Sequence, residues 1–197
     1  MALVVGLGNP GARYARTRHN VAWRVIGRLR ARWGAEPLAG PAGRSYETWR
    51  ATRGEREVVL LVPHTYMNRS GEALAAWRAE HGLDRESLLV VADDVYLPLG
   101  ALRLRPRGSS GGHRGLASLE AELGDREYAR LRVGVGAAES AAALREHVLE
   151  EFEGPEEEVV EQTVERAADA VETWLARGLT AAMNAFNRIT IEEEQKP

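Results

Sequence analysis

The 197-residue chain contains no cysteine. That excludes a disulfide framework, a thiolate zinc site and a thiol nucleophile. No run approaches the roughly 20 apolar residues that a membrane helix needs. The N-terminal stretch MALVVGLGNPG lacks the basic segment and long apolar core of a signal peptide. The expectation is a cytoplasmic protein without membrane contact. Lysine is almost missing as well: of 26 basic residues all but Lys196 are arginine. Arginine suits bidentate phosphate contact, although general arginine usage accounts for most of these positions.

With 44% hydrophobic and 28% charged residues, the chain has the composition of a soluble protein with a core. Its net charge of −3 does not suggest nucleic acid, but the distribution is uneven. Residues 1–60 hold eleven arginines against four acids, residues 103–132 seven against four, and residues 146–172 eleven acids against Arg166. A basic face can therefore exist on an acidic protein.

Periodicity places the elements. Ala2–Leu7 and Leu88–Ala92 read as buried strands, and Tyr46–Thr52 with Glu57–Pro63 as a hairpin turning at Arg53-Gly54. Ala101–Arg105 alternates as a half-buried strand, and Leu131–Gly136 reads as another. Helical spacing runs from Val21 to Trp33, from Ser70 (a candidate cap) to Gly82, and from Leu116 to Leu123. Pro37–Ser45 and Gly108–Gly115 read as loops. Beyond them the chain reads as helical over Ala141–Glu151, Pro155–Arg177 and Thr180–Phe186. Alternating strands and helices predict an α/β fold: one three-layer domain, residues 1–187, with a twisted mixed sheet, a helical C-terminal part and an acidic tail over 188–197.

Residues 6–11 match G-x-G-x-x-G, but Pro10 lacks an N–H where a pyrophosphate would be cradled, and no acidic residue ends a second strand. A nucleotide-dependent oxidoreductase is the weakest of the readings considered, and a plain turn presenting Asn9 is favoured. Three strand ends are each followed by polar side chains: Asn9 with His19, Asn68, and Asp93. Taken singly these fit helix caps or turns, with Asn20 or Thr17 capping the first helix. Taken together, His19 and Asp93 supply a base with a partner that fixes its tautomer, and the two amides supply donors for a carbonyl. No serine sits in G-x-S-x-G, and no ligand spacing supports a metal route through His19, His113 and Asp93. The expected geometry is one cleft holding Asn9, His19, Asn68 and Asp93. Arg103, Arg105, Arg107, Arg130 and Arg132 are expected to form a continuous positive surface leading to it.

GLGNPG, Y-A-x-T-R-H-N, T-Y-M-N-x-S-G, D-D-x-x-L-P-L-G, G-S-S-G-G-H-x-G and R-L-R-V-G-V-G occur in the order and spacing of bacterial-type peptidyl-tRNA hydrolases, which the chain resembles as far as Asn187. The resemblance implies a monomeric, cofactor-free and metal-free esterase acting on peptidyl-tRNA. It implies His19 as the general base for a water, with Asp93 orienting it. Asn9 and Asn68 would contact the peptidyl part and the reacting carbonyl, and Arg105 and Arg132 would clamp the tRNA 5′-phosphate. Tyr14, Tyr66 and Arg114 are expected to join the substrate-binding set, and Arg103 and Arg107 the tRNA-binding set. The chain departs from the family pattern at Arg114 (usually Asn), Tyr96 (usually acidic), Ala137-Ala138 (usually basic–Pro) and Ala22 (usually Gly). Arg114 keeps open an alternative: a catalytically weakened RNA-binding protein of the same fold.

Overall fold

The computed structural model describes residues 1–40, 43–138, 140 and 142–187. The acidic tail expected over 188–197 lies outside them. The strands are β1 (Ala2–Gly6), β2 (Glu36–Pro37), β3 (Tyr46–Arg53), β4 (Arg56–Pro63), β5 (Leu88–Asp94), β6 (Leu102–Arg105) and β7 (Ala129–Gly134). The helices are α1 (Val21–Trp33), α2 (Ser70–His81), α3 (Arg114–Leu123), α4 (Leu144–Leu149), α5 (Gly154–Arg177) and α6 (Leu179–Phe186). None of the described helices is long and apolar enough to cross a membrane.

The strands form one mixed sheet in the order β2-β3-β4-β1-β5-β7-β6. Its four central strands, β4, β1, β5 and β7, run parallel, while β3 and β6 pair antiparallel at either side. Alternation sorts the strand residues between two cores. Val4, Leu60 and Val91 face α1, α5 and α6, while Leu3, Val5, Leu61 and Val90 face α2 and α3. The three layers expected from the sequence are present. Because β1, β4 and β5 are parallel and central, their C-terminal ends deliver Asn9, the Met67–Asn68 turn and Asp93 to one edge of the sheet, where open α/β sheets place their sites.

Some boundaries differ from the sequence reading. Glu36–Pro37 pairs with β3, making a short edge strand where a loop is expected. Of the helix expected over Ala141–Glu151, Ala141 lies outside the described residues, and the helix described there is Leu144–Leu149; α3 starts at Arg114 rather than Leu116. Ser70 does not cap α2: its hydroxyl donates to the Met67 carbonyl at 2.9 Å. In the glycine motif, a Cβ at Gly6 would stand 2.5 Å from Ile26, and one at Gly8 2.4 Å from the Trp23 indole. These two glycines let α1 pack directly on β1.

The uneven charge of the sequence does not survive folding. Arg24, Arg28 and Arg32 repeat every fourth residue along α1, and Glu157, Glu161, Glu165 and Asp169 repeat at the same interval along α5. The two rows interlock: Arg24–Glu157 at 2.7 Å, Arg28–Glu161 at 3.0 Å, Arg32–Asp169 at 2.7 Å, with further pairs to Glu165. Arg16, Arg18 and Arg53 also pair with acids of the C-terminal third. Most of the N-terminal arginine excess is thus neutralised at home rather than displayed.

Helix α2 approaches α3 closely at Gly71, where a Cβ would lie 2.3 Å from the Ser118 carbonyl oxygen. Gly27, exposed on α1, has nothing within 4 Å of its ideal Cβ position. Gly71→Ala should therefore destabilise the protein by about 1–3 kcal/mol through overpacking. Gly27→Ala should stabilise it by about 0.8–1.0 kcal/mol through helix propensity. Thermal or urea unfolding of both variants checks the pair of signs.

Candidate active site

The edge of the sheet holds a cleft of about 450 Å³, lined by Asn9, Tyr14, His19, Tyr66, Asn68, Asp93, His113, Arg114 and Arg132 among others. The four residues expected to meet there, Asn9, His19, Asn68 and Asp93, do so. All members of the expected substrate-binding set also line it. Arg103, Arg105 and Arg107 do not; they lie on and beyond β6.

Asp93 is the penultimate residue of β5 and is 1% exposed. His19 Nδ1 stands 2.7 Å from its Oδ1, and His113 Nε2 stands 2.8 Å from the same oxygen. Burial pushes the Asp93 carboxyl up, but the two imidazoles beside it hold it well below the usual carboxylate range. An ionised carboxylate only accepts hydrogen bonds, so both nitrogens facing it carry protons. His19 is therefore protonated on Nδ1, which leaves Nε2 as its basic atom. Burial pulls the His19 pKa down, and the charge and hydrogen bond of Asp93 more than offset this. Arg114 opposes that rise, and the net result lies above the ordinary histidine value.

His113 is tied at both ends. Its Nδ1 accepts the backbone N–H of Leu116 at 3.2 Å, capping α3. A backbone N–H can only donate, so Nδ1 carries no proton and the ring is neutral, with its single proton on Nε2. In the sequence His113 stands out only as a conceivable metal ligand. The available signal was the Gly111-Gly112 doublet, whose positive φ values of 60° and 84° turn the chain back toward β5. The ligand atoms of His19, Asp93 and His113 lie within 4.8 Å of one another, the one such group among the described residues. The N–O separations within it are those of hydrogen bonds.

Asn20 is the second residue the sequence reading misplaced. It makes no side-chain cap on α1. Its Oδ1 accepts the Asn9 N–H at 2.8 Å and its Nδ2 donates to the Asn9 carbonyl at 2.9 Å. Asn9 in turn accepts the Met67 N–H through Oδ1 at 2.8 Å. With Oδ1 committed, Asn9 has only its NH₂ to offer a ligand, so it can act as a donor to a carbonyl. Thr17 does not cap either; its hydroxyl donates to the Tyr14 carbonyl at 2.9 Å. Arg18, 5% exposed, pins the segment before His19 by donating to the Val135 carbonyl at 3.1 Å and to both Glu156 oxygens at 3.0 and 2.7 Å.

Asp94 is also buried, so Asp93-Asp94 is not a solvated turn. Asp94 accepts from Arg132 at 3.1 Å, and Arg132 also donates to the Ser109 and Ser110 carbonyls at 2.9 Å each. Arg132 therefore fastens the Gly/Ser loop as well as lining the cleft. The expected five-arginine surface needs correction at Arg130, which is 1% exposed. It stacks on Tyr128 at 4.2 Å and lies 3.6 Å from Glu120. Glu120 of α3 and the Tyr128 ring cover it, so it takes no part in a surface. Arg103 and Arg105 remain exposed, opposite Arg132 and Arg130 across the β6–β7 pair.

The proton positions are measurable. Nitrogen-15 shifts of the imidazoles at neutral pH should show His113 unprotonated at Nδ1 and protonated at Nε2. A proton on His113 Nδ1 at that pH would contradict the assignment.

A family model for peptidyl-tRNA hydrolase matches residues 3–195. The chain is 45% identical over 196 residues to a peptidyl-tRNA hydrolase of Chloroflexus aggregans, covering 95% of this chain and 99% of the relative. It is 47% identical over 193 residues to one from a Synechococcus strain, covering 95% and 83%. The crystal structure of peptidyl-tRNA hydrolase from Acinetobacter baumannii superposes with a TM-score of 0.88 at 30% identity, covering 95% of this chain and 94% of that one. With a family match over nearly its whole length, a shared fold, and the expected polar side chains gathered in one cleft, the chain belongs to the peptidyl-tRNA hydrolase family.

Proposed function

We propose that the protein hydrolyses the ester joining a peptide to the 3′ end of tRNA, as a cytoplasmic, cofactor-free monomer in which His19 is the general base. The observation that carries this reading is the His19–Asp93 pair at 2.7 Å, with His19 Nε2 left as the basic atom in a cleft lined by Asn9 and Asn68. A water held beside Nε2 attacks the ester carbonyl and gives one proton to the imidazole. Asp93 stabilises the imidazolium that forms. The negative charge arising on the carbonyl oxygen is met by the Asn9 NH₂ and by Asn68, which no other hydrogen bond engages among the described residues. Collapse breaks the C–O bond to the ribose, His19 returns its proton to the departing 3′ oxygen, and peptide acid and free tRNA leave. Tyr14 and Tyr66, edge to face with centroids 6.4 Å apart, form one wall for the peptide.

The intact base pair favours this over a weakened RNA-binding protein. Arg114 leaves both partners in place and acts on His19 through its charge. The tRNA would approach over Arg103 and Arg105. Like charges directly opposed across strands are unfavourable. Here Glu120 and Asp94 neutralise the two β7 members, which leaves the β6 pair for phosphate.

His19→Ala should lower the single-turnover rate on peptidyl-tRNA by about 10²–10⁴-fold, the usual worth of general base catalysis, with tRNA affinity retained. Hydrolysis by that variant at the unmutated rate would sink the mechanism.

The rate should rise with pH as His19 loses its proton. The midpoint should lie above the ordinary histidine value of about 6.5, because the folded environment raises this pKa. Asp93→Asn removes the groups that raise it and leaves the burial that lowers it. Its profile should shift to lower pH with a reduced plateau. A midpoint that moves up or stays put would contradict the pairing.

Arg103→Ala and Arg105→Ala should weaken tRNA binding and flatten its dependence on salt by about 0.7–0.9 in the log–log slope for each phosphate no longer engaged. These are cleaner tests than Arg132→Ala, which would also release the Gly/Ser loop. Binding titrations at several salt concentrations decide it; an unaltered slope in both variants would remove the strip from the interface.

A further inference from the structure

The charged groups inside the cleft do not balance. Asp93 is engaged by two imidazoles and Asp94 by Arg132. Two more arginines line the same cleft: Arg114, the first residue of α3, and Arg145 on α4. Both are exposed. Among the described residues neither has an ion pair, a hydrogen bond or an aromatic ring beneath it, although most arginines of this chain do. In the sequence Arg114 stands out as a departure from the family pattern, whereas Arg145, a lone arginine on a short helix, has only the look of ordinary solvated surface. In space the two stand on different walls of the cavity that holds the proposed base.

We propose that Arg114 and Arg145 form an anion-binding pair inside the cleft that takes the phosphodiester of the last nucleotides at the 3′ end of the substrate, separate from the outer strip on β6. This deepens the hydrolase reading and rests on it. Every substrate of that reaction carries a phosphodiester one nucleotide from the scissile ester. A pair of permanently charged, unpaired guanidiniums in a cleft matches an anion that is always present, where an acidic peptide side chain is present only in some substrates. Guanidinium groups bind phosphate oxygens in charge-assisted, often bidentate geometry. Low-dielectric walls around the cleft strengthen the attraction relative to open surface. Arg114 follows directly after His113, which shares the Asp93 oxygen with His19, and lines the same cleft as both. The β6 strip cannot serve this part of the substrate, since Arg103, Arg105 and Arg107 do not line the cleft.

The test uses the full chain and two small esters: an N-acetyl-aminoacyl ester of adenosine, which carries no phosphate, and the same ester of the trinucleotide CCA. Both are assayed at the pH plateau of each variant, so that altered ionisation of His19 does not enter. For Arg114→Gln and Arg145→Gln, the KM of the CCA ester relative to that of the adenosine ester should rise about tenfold each, the scale of a hydrogen bond to a charged group. The salt slope for the CCA ester should fall by about 0.7 for each phosphate left unbound. Arg114→Lys should recover part of the effect, because it restores charge without the planar fork. A ratio that does not change in either variant would overturn the proposal. So would a defect confined to esters of N-acetyl-glutamate compared with N-acetyl-glutamine, which would assign the pair to acidic peptide side chains. Binding of a fluorescent, unesterified CCA oligonucleotide gives a second readout. If the unmutated protein hydrolysed neither ester, the hydrolase reading would fall on that result, and the oligonucleotide titration would still decide whether the arginine pair binds phosphodiester.

Discussion

The architecture of the site follows from keeping one carboxylate ionised where water scarcely reaches. Asp93 sits at the end of a fully buried strand with its side chain 2% exposed. An unpaired carboxylate there would cost several kcal/mol. Two imidazole N–H groups on a single oxygen make the charge tenable, and each must be brought in from a distant segment. His19 arrives through the turn before α1. That turn is fixed from one side by the double Asn20–Asn9 contact and from the other by Arg18, whose fork grips Glu156 at the start of α5. His113 arrives through a glycine doublet whose loop Arg132 fastens to Asp94, the next residue along the strand. The neighbouring acids of β5 thus hold the two sides of the site: Asp93 through its imidazoles, and Asp94 through an arginine.

This arrangement divides labour between two histidines that look alike in the sequence. His113 uses both nitrogens on fixed partners, the Asp93 carboxylate and the Leu116 N–H that it caps. His19 uses one nitrogen and keeps the other for the cleft, which is what the proposed base needs. Sharing the Asp93 oxygen between two donors also limits how strongly it stabilises the imidazolium of His19. Burial and the Arg114 charge act in the same direction. The proposed base is lifted above an ordinary histidine without being locked in its protonated form.

What could be read from the sequence was what local pattern determines. Strand periodicity located β1, β4 and β5, and the polar residues after them marked the edge where Asn9, Asn68 and Asp93 meet. Asn20, Thr17 and Ser70 have the side chains of helix caps and sit at helix starts, but capping competes with other hydrogen-bond partners. Thr17 and Ser70 donate instead to the carbonyls three residues before them. Asn20 is taken by the backbone of Asn9, eleven residues away. His113 is the one residue of the group that does cap, though it comes from a type seldom chosen for that position. Arg130 and Arg132 have the same alternation as Arg103 and Arg105. Nothing local reveals that α3 will cover one strand and leave the other open.

Charge was the most deceptive signal, and its resolution explains what remains on the surface. Blocks of arginine and of acid in separate parts of the sequence suggested separate faces. Parallel packing of α1 on α5 instead brings two four-residue repeats of opposite sign into register, so the blocks cancel. Each such exposed pair is worth at most about 1 kcal/mol alone, but together they line the helix that begins directly after the proposed base. The positive potential that survives comes from where pairing is geometrically blocked. On the β6–β7 ladder four arginines face the same side in two directly opposed pairs. Such a ladder is tolerable because the protein neutralises its inner members from below, Arg130 with Glu120 and Arg132 with Asp94. Among the described residues the outer members have no acid partner to do the same. A phosphate at Arg103 and Arg105, as proposed for the tRNA, would relieve the repulsion that the inner pairs leave unsettled.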